Sequence, residues 1–98
     1  MSLVQIEPEG GFELIIEKPE YIIGKKVELV DGVITSNATI SRVHCKIVFR
    51  DGQYYICDMG SANGTFINGV KIKEYAELQI QPGDEIGMSN SKFMFNRI

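Results

Sequence analysis

Short runs of alternating apolar and polar residues, each closed by a glycine-containing turn, leave this chain little but an antiparallel β architecture. Cys45, Ile47 and Phe49 alternate with Lys46, Val48 and Arg50, the period of two that buries one face of a strand. Phe12 to Glu17, Tyr21 to Ile23, Gln53 to Asp58, Glu77 to Gln81 and Ser91 to Ile98 read as further strands, rich in branched and aromatic side chains. Asp51-Gly52 and Asn68-Gly69 each sit between two such runs and signal two-residue hairpins, whose central positions both need positive φ. Pro82-Gly83 suits a turn with proline first and glycine next, and Gly10-Gly11 and Asp31-Gly32 add two breaks. Lys73 to Ala76 is the one helical candidate, too short to stand alone in water. Such spacing predicts an all-β antiparallel sandwich or barrel.

A chain of 98 residues has room for one core, so residues 1–98 are read as a single domain, with 1–3 set aside as a remnant of expression. Tyr54, Ile56 and Met59 are assigned to that core. No apolar run reaches the length of a membrane span and no basic-then-apolar leader opens the chain, so neither a membrane partner nor secretion is expected, and the location is read as cytoplasmic. A net charge of −3 argues against a nucleic-acid partner, which needs a basic face. Two cysteines, Cys45 and Cys57, and one histidine, His44, fall short of a four-ligand zinc set. No metal is expected, and the cysteines read as buried, reduced thiols.

Asp31 to Ile40 breaks the alternation with Thr35, Ser36, Asn37 and Thr39 and reads as a polar loop, a favoured place for binding residues. A phosphorylated side chain brings nearly two negative charges and three acceptor oxygens. It is met by hydroxyls, backbone N–H groups and cations, which Lys25-Lys26, Ser41-Arg42 and Ser61-Ala62-Asn63-Gly64-Thr65 supply at strand ends. In a sandwich, alternate loops gather at one end, so these three can converge. Each piece also has an ordinary reading: Asn63-Gly64-Thr65 as a turn or an N-x-Thr glycosylation acceptor, and Lys25-Lys26 as a solvated strand end. Ser41 and His44, three residues apart on a strand, would face opposite ways. With no Ser–His couple, paired carboxylates or cofactor loop, no enzyme and no cofactor are expected.

In order, the chain carries Ile23-Gly24-Lys25, Ser41-Arg42-Val43-His44, Asp58-Met59-Gly60-Ser61-Ala62-Asn63-Gly64-Thr65-Phe66-Ile67-Asn68-Gly69, and Gly83-Asp84. From about Tyr21 onward it resembles a forkhead-associated (FHA) domain. The resemblance implies an SMAD/FHA-like β-sandwich of about eleven strands, monomeric as an isolated domain. It further implies phosphothreonine-dependent recruitment of phosphorylated partners in signalling. Carried over by position, Lys25, Ser41, Arg42, Ser61 and Asn63 would bind the phosphopeptide, with Gly24, Lys26, His44, Gly64, Thr65 and Asn68 in support. Two positions depart from the pattern. Lys25 replaces an arginine and loses its planar fork, and Ala62 lacks a polar side chain. They motivate an alternative, a degenerate fold serving as a phospho-independent interaction or structural module.

Overall fold

A computed structural model describes residues 1–10 and 12–98. Residue 11, half of the expected Gly10-Gly11 break, lies outside the described residues. Eleven strands form two packed sheets: β1 (Ser2–Glu7), β2 (Glu13–Ile15), β3 (Glu20–Gly24), β4 (Gly32–Val33), β5 (Cys45–Arg50), β6 (Gln53–Asp58), β7 (Thr65–Ile67), β8 (Val70–Lys71), β9 (Glu77–Ile80), β10 (Glu85–Met88) and β11 (Ser91–Asn96). One sheet runs β2-β1-β11-β10-β7-β8 and the other β4-β3-β5-β6-β9. Among the described residues all strand pairings are antiparallel except β3 with β4, and Asp58 and Glu74 add an isolated parallel bridge. Among the described residues there is no helix, and hence none long and apolar enough to cross a membrane.

Turn chemistry sets the register. Asp51 (φ 53°) and Gly52 (φ 74°) close the β5–β6 hairpin, and Asn68 (φ 50°) and Gly69 (φ 83°) close β7–β8, the paired positive φ of the tight hairpin. The first turn aligns Arg50 with Gln53 and, along the ladder, Ile47 with Ile56. Ile23, Ile47 and Ile56 from one sheet then meet Leu3, Ile86, Phe93 and Phe95 from the other, all fully buried. Asn68 also ties two turns together: its carboxamide oxygen accepts the Glu85 N–H at 2.8 Å and its amide donates to Asp84 at 3.1 Å.

Several expectations need correction. No strand was expected before residue 12, yet Ser2 and Leu3 open β1, which pairs with both β11 and β2, and Leu3 is fully buried. The alternation was hidden because the next inward position is Gln5, a buried polar residue. Gly32 and Val33, at the start of the expected polar loop, form β4. β10 had no clear signature because it contains Gly87, where a Cβ would stand 3.1 Å from that of Phe66. The strand expected over residues 12–17 spans only Glu13–Ile15. Ile56 lies in the core and Tyr54 packs half-buried against it, whereas Met59 is half-buried in the loop after β6. Both cysteines are free and buried, and burial pushes the Cys45 thiol well up, which makes it a poor nucleophile.

Replacing Leu3 with Ala should lower unfolding free energy by about 2–4 kcal/mol in urea titrations, the range for truncating a buried leucine. A loss below about 1 kcal/mol would contradict the placement of Leu3 in the core.

Candidate functional site

Four connections gather at one end of the sandwich: residues 25–31, 34–44, 59–64 and 89–90. The loop after β6 is organised by Asp58, the last residue of that strand, which is 1% exposed. One carboxylate oxygen accepts the N–H groups of Gly60 and Ser61, both at 3.1 Å. The other accepts the hydroxyls of Ser61 and Thr65, both at 2.6 Å. Burial works to raise the Asp58 pKa, but the Ser61 and Thr65 hydroxyls and the Ser61 and Gly60 amides outweigh it and hold it below the usual value. Ser61 Oγ in turn accepts the Gly64 N–H at 3.0 Å. With one proton donated and one lone pair engaged, this buried hydroxyl faces the protein. Ser61 therefore sits as a brace, in contrast to the contact expected from the sequence.

His44 joins this loop to the preceding one. Its Nδ1 accepts the Ser41 N–H at 3.1 Å, so Nδ1 is unprotonated, and its Nε2–H donates to the Gly64 carbonyl at 2.8 Å. The ring is fully buried. Burial pushes its pKa down, against the opposing pull of the Gly64 carbonyl and Asp58. Both ring nitrogens are thus satisfied by the neutral form alone. Residues 41–44 are loop, not strand as expected, which is how the ring can turn back onto Ser41. It meets the serine's amide and leaves the hydroxyl alone. Gly64 (φ 91°) and its carbonyl, which also accepts the Ser89 N–H at 3.0 Å, complete the junction.

The strand ends lock the same loops. Lys25 and Lys26 N–H groups donate to the carbonyls of Ser41 and Arg42 at 3.1 and 3.2 Å. That approach requires Gly24, since a Cβ there would fall inside contact distance of the Arg42 carbonyl. Asn37 donates to Asn90 and Ser91, both at 2.7 Å, and accepts from the Thr39 hydroxyl, which touches Ser89 Oγ at 2.6 Å. Asp58 and Ser89 have no role in the sequence reading, and Asn37 and Thr39 only a place in the polar loop. The Asp58-x-Gly60-Ser61 pattern, an acidic side chain capping amides two and three residues on, was the signal for the first of them.

An open depression of about 570 Å³ lies over this framework, lined by Lys25, Ser41 and Arg42 together with Leu29, Val43, Gly60 and Ala62. Ser41 Oγ accepts the Ala62 N–H at 3.0 Å, which leaves the hydroxyl proton free to donate outward. Among the described residues no carboxylate pairs with Arg42. Lys25 Nζ donates to the Ala38 carbonyl at 3.0 Å and keeps two further protons, while Lys26 Nζ lies 3.4 Å from Glu28. Exposed Asn63 donates to the Thr39 carbonyl at 2.8 Å, leaving its amide oxygen available. Hydroxyl, guanidinium and ammonium converge here, as a small polyanion requires. Larger than a phosphate group needs, the depression also extends over apolar surface.

A family model described as FHA domain matches residues 21–89. The oxoglutarate dehydrogenase inhibitor of Corynebacterium glutamicum is 28% identical over 96 residues, which cover 97% of this chain and 63% of that protein. This chain thus spans less than two thirds of that relative's length. Among solved structures, the FHA domain of an Arabidopsis thaliana hypothetical protein superposes with TM-score 0.87 at 26% identity, over 99% of this chain and 84% of that one. Mycobacterium tuberculosis EmbR, solved with a low-affinity phosphopeptide, superposes with TM-score 0.84 at 26% identity, over 97% of this chain and 24% of that one.

The His44 geometry makes stability depend on pH. Unfolded, the imidazole protonates near 6.5, whereas the folded ring resists protonation. Its contribution is therefore complete above pH 6.5 and declines as pH falls toward the lower folded value, by at most about 1.4 kcal/mol per pH unit. Urea unfolding between pH 7.5 and 5.5 should show this slope, and His44→Gln, which removes the chain's only histidine, should flatten it. A wild-type profile already flat in that window would contradict the assignment.

Proposed function

The chain belongs to the FHA-domain family, and on that footing we propose that it binds phosphothreonine in an extended segment of a partner protein. The observation that carries this reading is the free Ser41 hydroxyl proton, set beside unpaired Arg42 and partly engaged Lys25 on a rigid loop framework. Phosphate oxygens accept from Ser41 Oγ and from the cations, and Asn63 presents its amide oxygen to a peptide N–H. Ser61, His44, Gly64 and Thr65 act beneath the surface by holding those donors in place. The preference for threonine over serine is carried by the family resemblance. EmbR, solved with a phosphopeptide, and the relative named as a dehydrogenase inhibitor support a regulatory role for the protein that contains this domain.

A second reading, retention of the fold with weakened phosphate capture, is favoured by one feature. Lys25 already holds the Ala38 carbonyl and offers a point charge where a guanidinium would bind through two parallel hydrogen bonds. Affinities of Lys25→Arg and wild type separate the two.

Calorimetric titration should show binding to a phosphothreonine peptide and none to its unphosphorylated form. Ser41→Ala removes one charge-assisted hydrogen bond, worth about 1.5–3 kcal/mol, and should weaken binding about tenfold to a hundredfold. Its melting temperature should stay nearly unchanged, since the Ala62 N–H it orphans is exposed to water. Lys25→Arg should tighten binding if the second reading holds and leave affinity unchanged if it does not. Equal affinity for both peptides, or wild-type affinity in Ser41→Ala, would overturn the proposal.

A further inference from the structure

Gln5 stands where β1 should carry an apolar side chain. Leu3 and Gln5 lie opposite Phe95 and Phe93, both fully buried, and Gln5 itself is 7% exposed. Its backbone N–H donates to the Phe12 carbonyl at 2.8 Å. Its side-chain carboxamide makes no hydrogen bond among the described residues. It is not sealed in, because no enclosed side-chain polar atom among those residues lacks a partner. The carboxamide opens instead into a cleft of about 300 Å³ between the β1–β2 hairpin and residues 33–36, where Pro8, Phe12 and Val33 supply apolar walls. Thr35 and Ser36, also in the cleft, have hydroxyls with no partner among the described residues, and Glu9 beside them pairs with no cation there. Past Pro8 and Ser36 the cleft continues into a hollow of about 250 Å³ that reaches Asn90. It shares no lining residue with the depression over Ser41.

An amide without a protein partner at an inward strand position costs stability that a leucine would not. A carboxamide presents an acceptor and two donors in one plane, the complement of a peptide group's N–H and C=O. We infer that this cleft is a second binding site, which takes an extended, unphosphorylated segment of a partner protein and pairs one of its main-chain amides with Gln5. Two joined hollows suit an extended chain better than a compact ligand. Pro8, Phe12 and Val33 cover an apolar side chain next to the paired amide, and the Glu9 carboxylate turns away acidic segments. The site works without phosphate and does not depend on the phosphothreonine reading.

The test is phage selection of random unphosphorylated peptides, followed by fluorescence anisotropy of the enriched sequences against wild type and variants. Enriched peptides should be poor in Asp and Glu. Gln5→Leu should weaken them about tenfold, the loss of two neutral hydrogen bonds. Ser36→Arg, at an exposed position, puts a long side chain into the cleft and should weaken them as well, whereas Ser41→Ala should leave them unchanged. With no peptide present, Gln5→Leu should raise the melting temperature by about 4 °C. A melting temperature that fails to rise would overturn the site. So would a selection without enrichment, or enriched peptides that bind Gln5→Leu and Ser36→Arg as tightly as wild type. Failure of phosphothreonine peptides to bind would overturn the phosphate reading and leave this site standing.

Discussion

The carboxylate of Asp58 is the interaction on which the binding end depends. A buried charge is expensive unless it is fully hydrogen-bonded, and this one receives two amides and two hydroxyls from the six-residue stretch that follows and its first strand residue. Satisfying it winds residues 59–64 into a single shape. That shape presents the Gly64 carbonyl to His44 Nε2 and the Ala62 N–H to Ser41 Oγ. The loops carry little regular secondary structure, so the chain Asp58, Ser61, Gly64, His44, Ser41 substitutes for it. Each member uses its polar atoms on the next, and no buried side-chain polar atom among the described residues lacks a partner.

Rigid placement matters because ordering loops at the moment of binding subtracts from affinity. Here the ordering is done in advance: Ser41 is fixed through both its amide and its hydroxyl oxygen, and only the hydroxyl proton is left to choose a direction. Asn37 and Thr39 add a second tether, to the β10–β11 turn. The cations are the softer part. Arg42 and Lys26 are exposed, and Lys25 leans on the Ala38 carbonyl, so they supply long-range attraction, which salt screens, more than geometry.

The architecture was largely legible in the sequence because turns and alternation are local signals. Asp51-Gly52 and Asn68-Gly69 fixed two hairpins outright. β1 was missed because a polar residue, Gln5, occupies an inward position, and β10 because Gly87 interrupts it to admit Phe66. At the site, the motifs marked loops that the fold brings together, but side-chain direction is a tertiary property. Nothing local says that Ser61 turns inward to Asp58 while Ser41 keeps a free proton, although both are serines beside a phosphate-like motif. Likewise, the turn of residues 41–44 out of strand geometry, which lets His44 reach the Ser41 amide, depends on Gly24 admitting the neighbouring backbone.

With the donors preorganised, a phosphate would meet them without rearranging the loops beneath. Amide chemical shifts measured during titration with a phosphothreonine peptide test this most directly. Large shifts are expected at Lys25, Lys26, Ser41 to Val43 and Ala62 to Asn63, with the Gly64 and Thr65 amides and the His44 ring nitrogens nearly stationary. Large shifts at His44 and Thr65, or shifts spread over the sheet faces instead of this end, would contradict it.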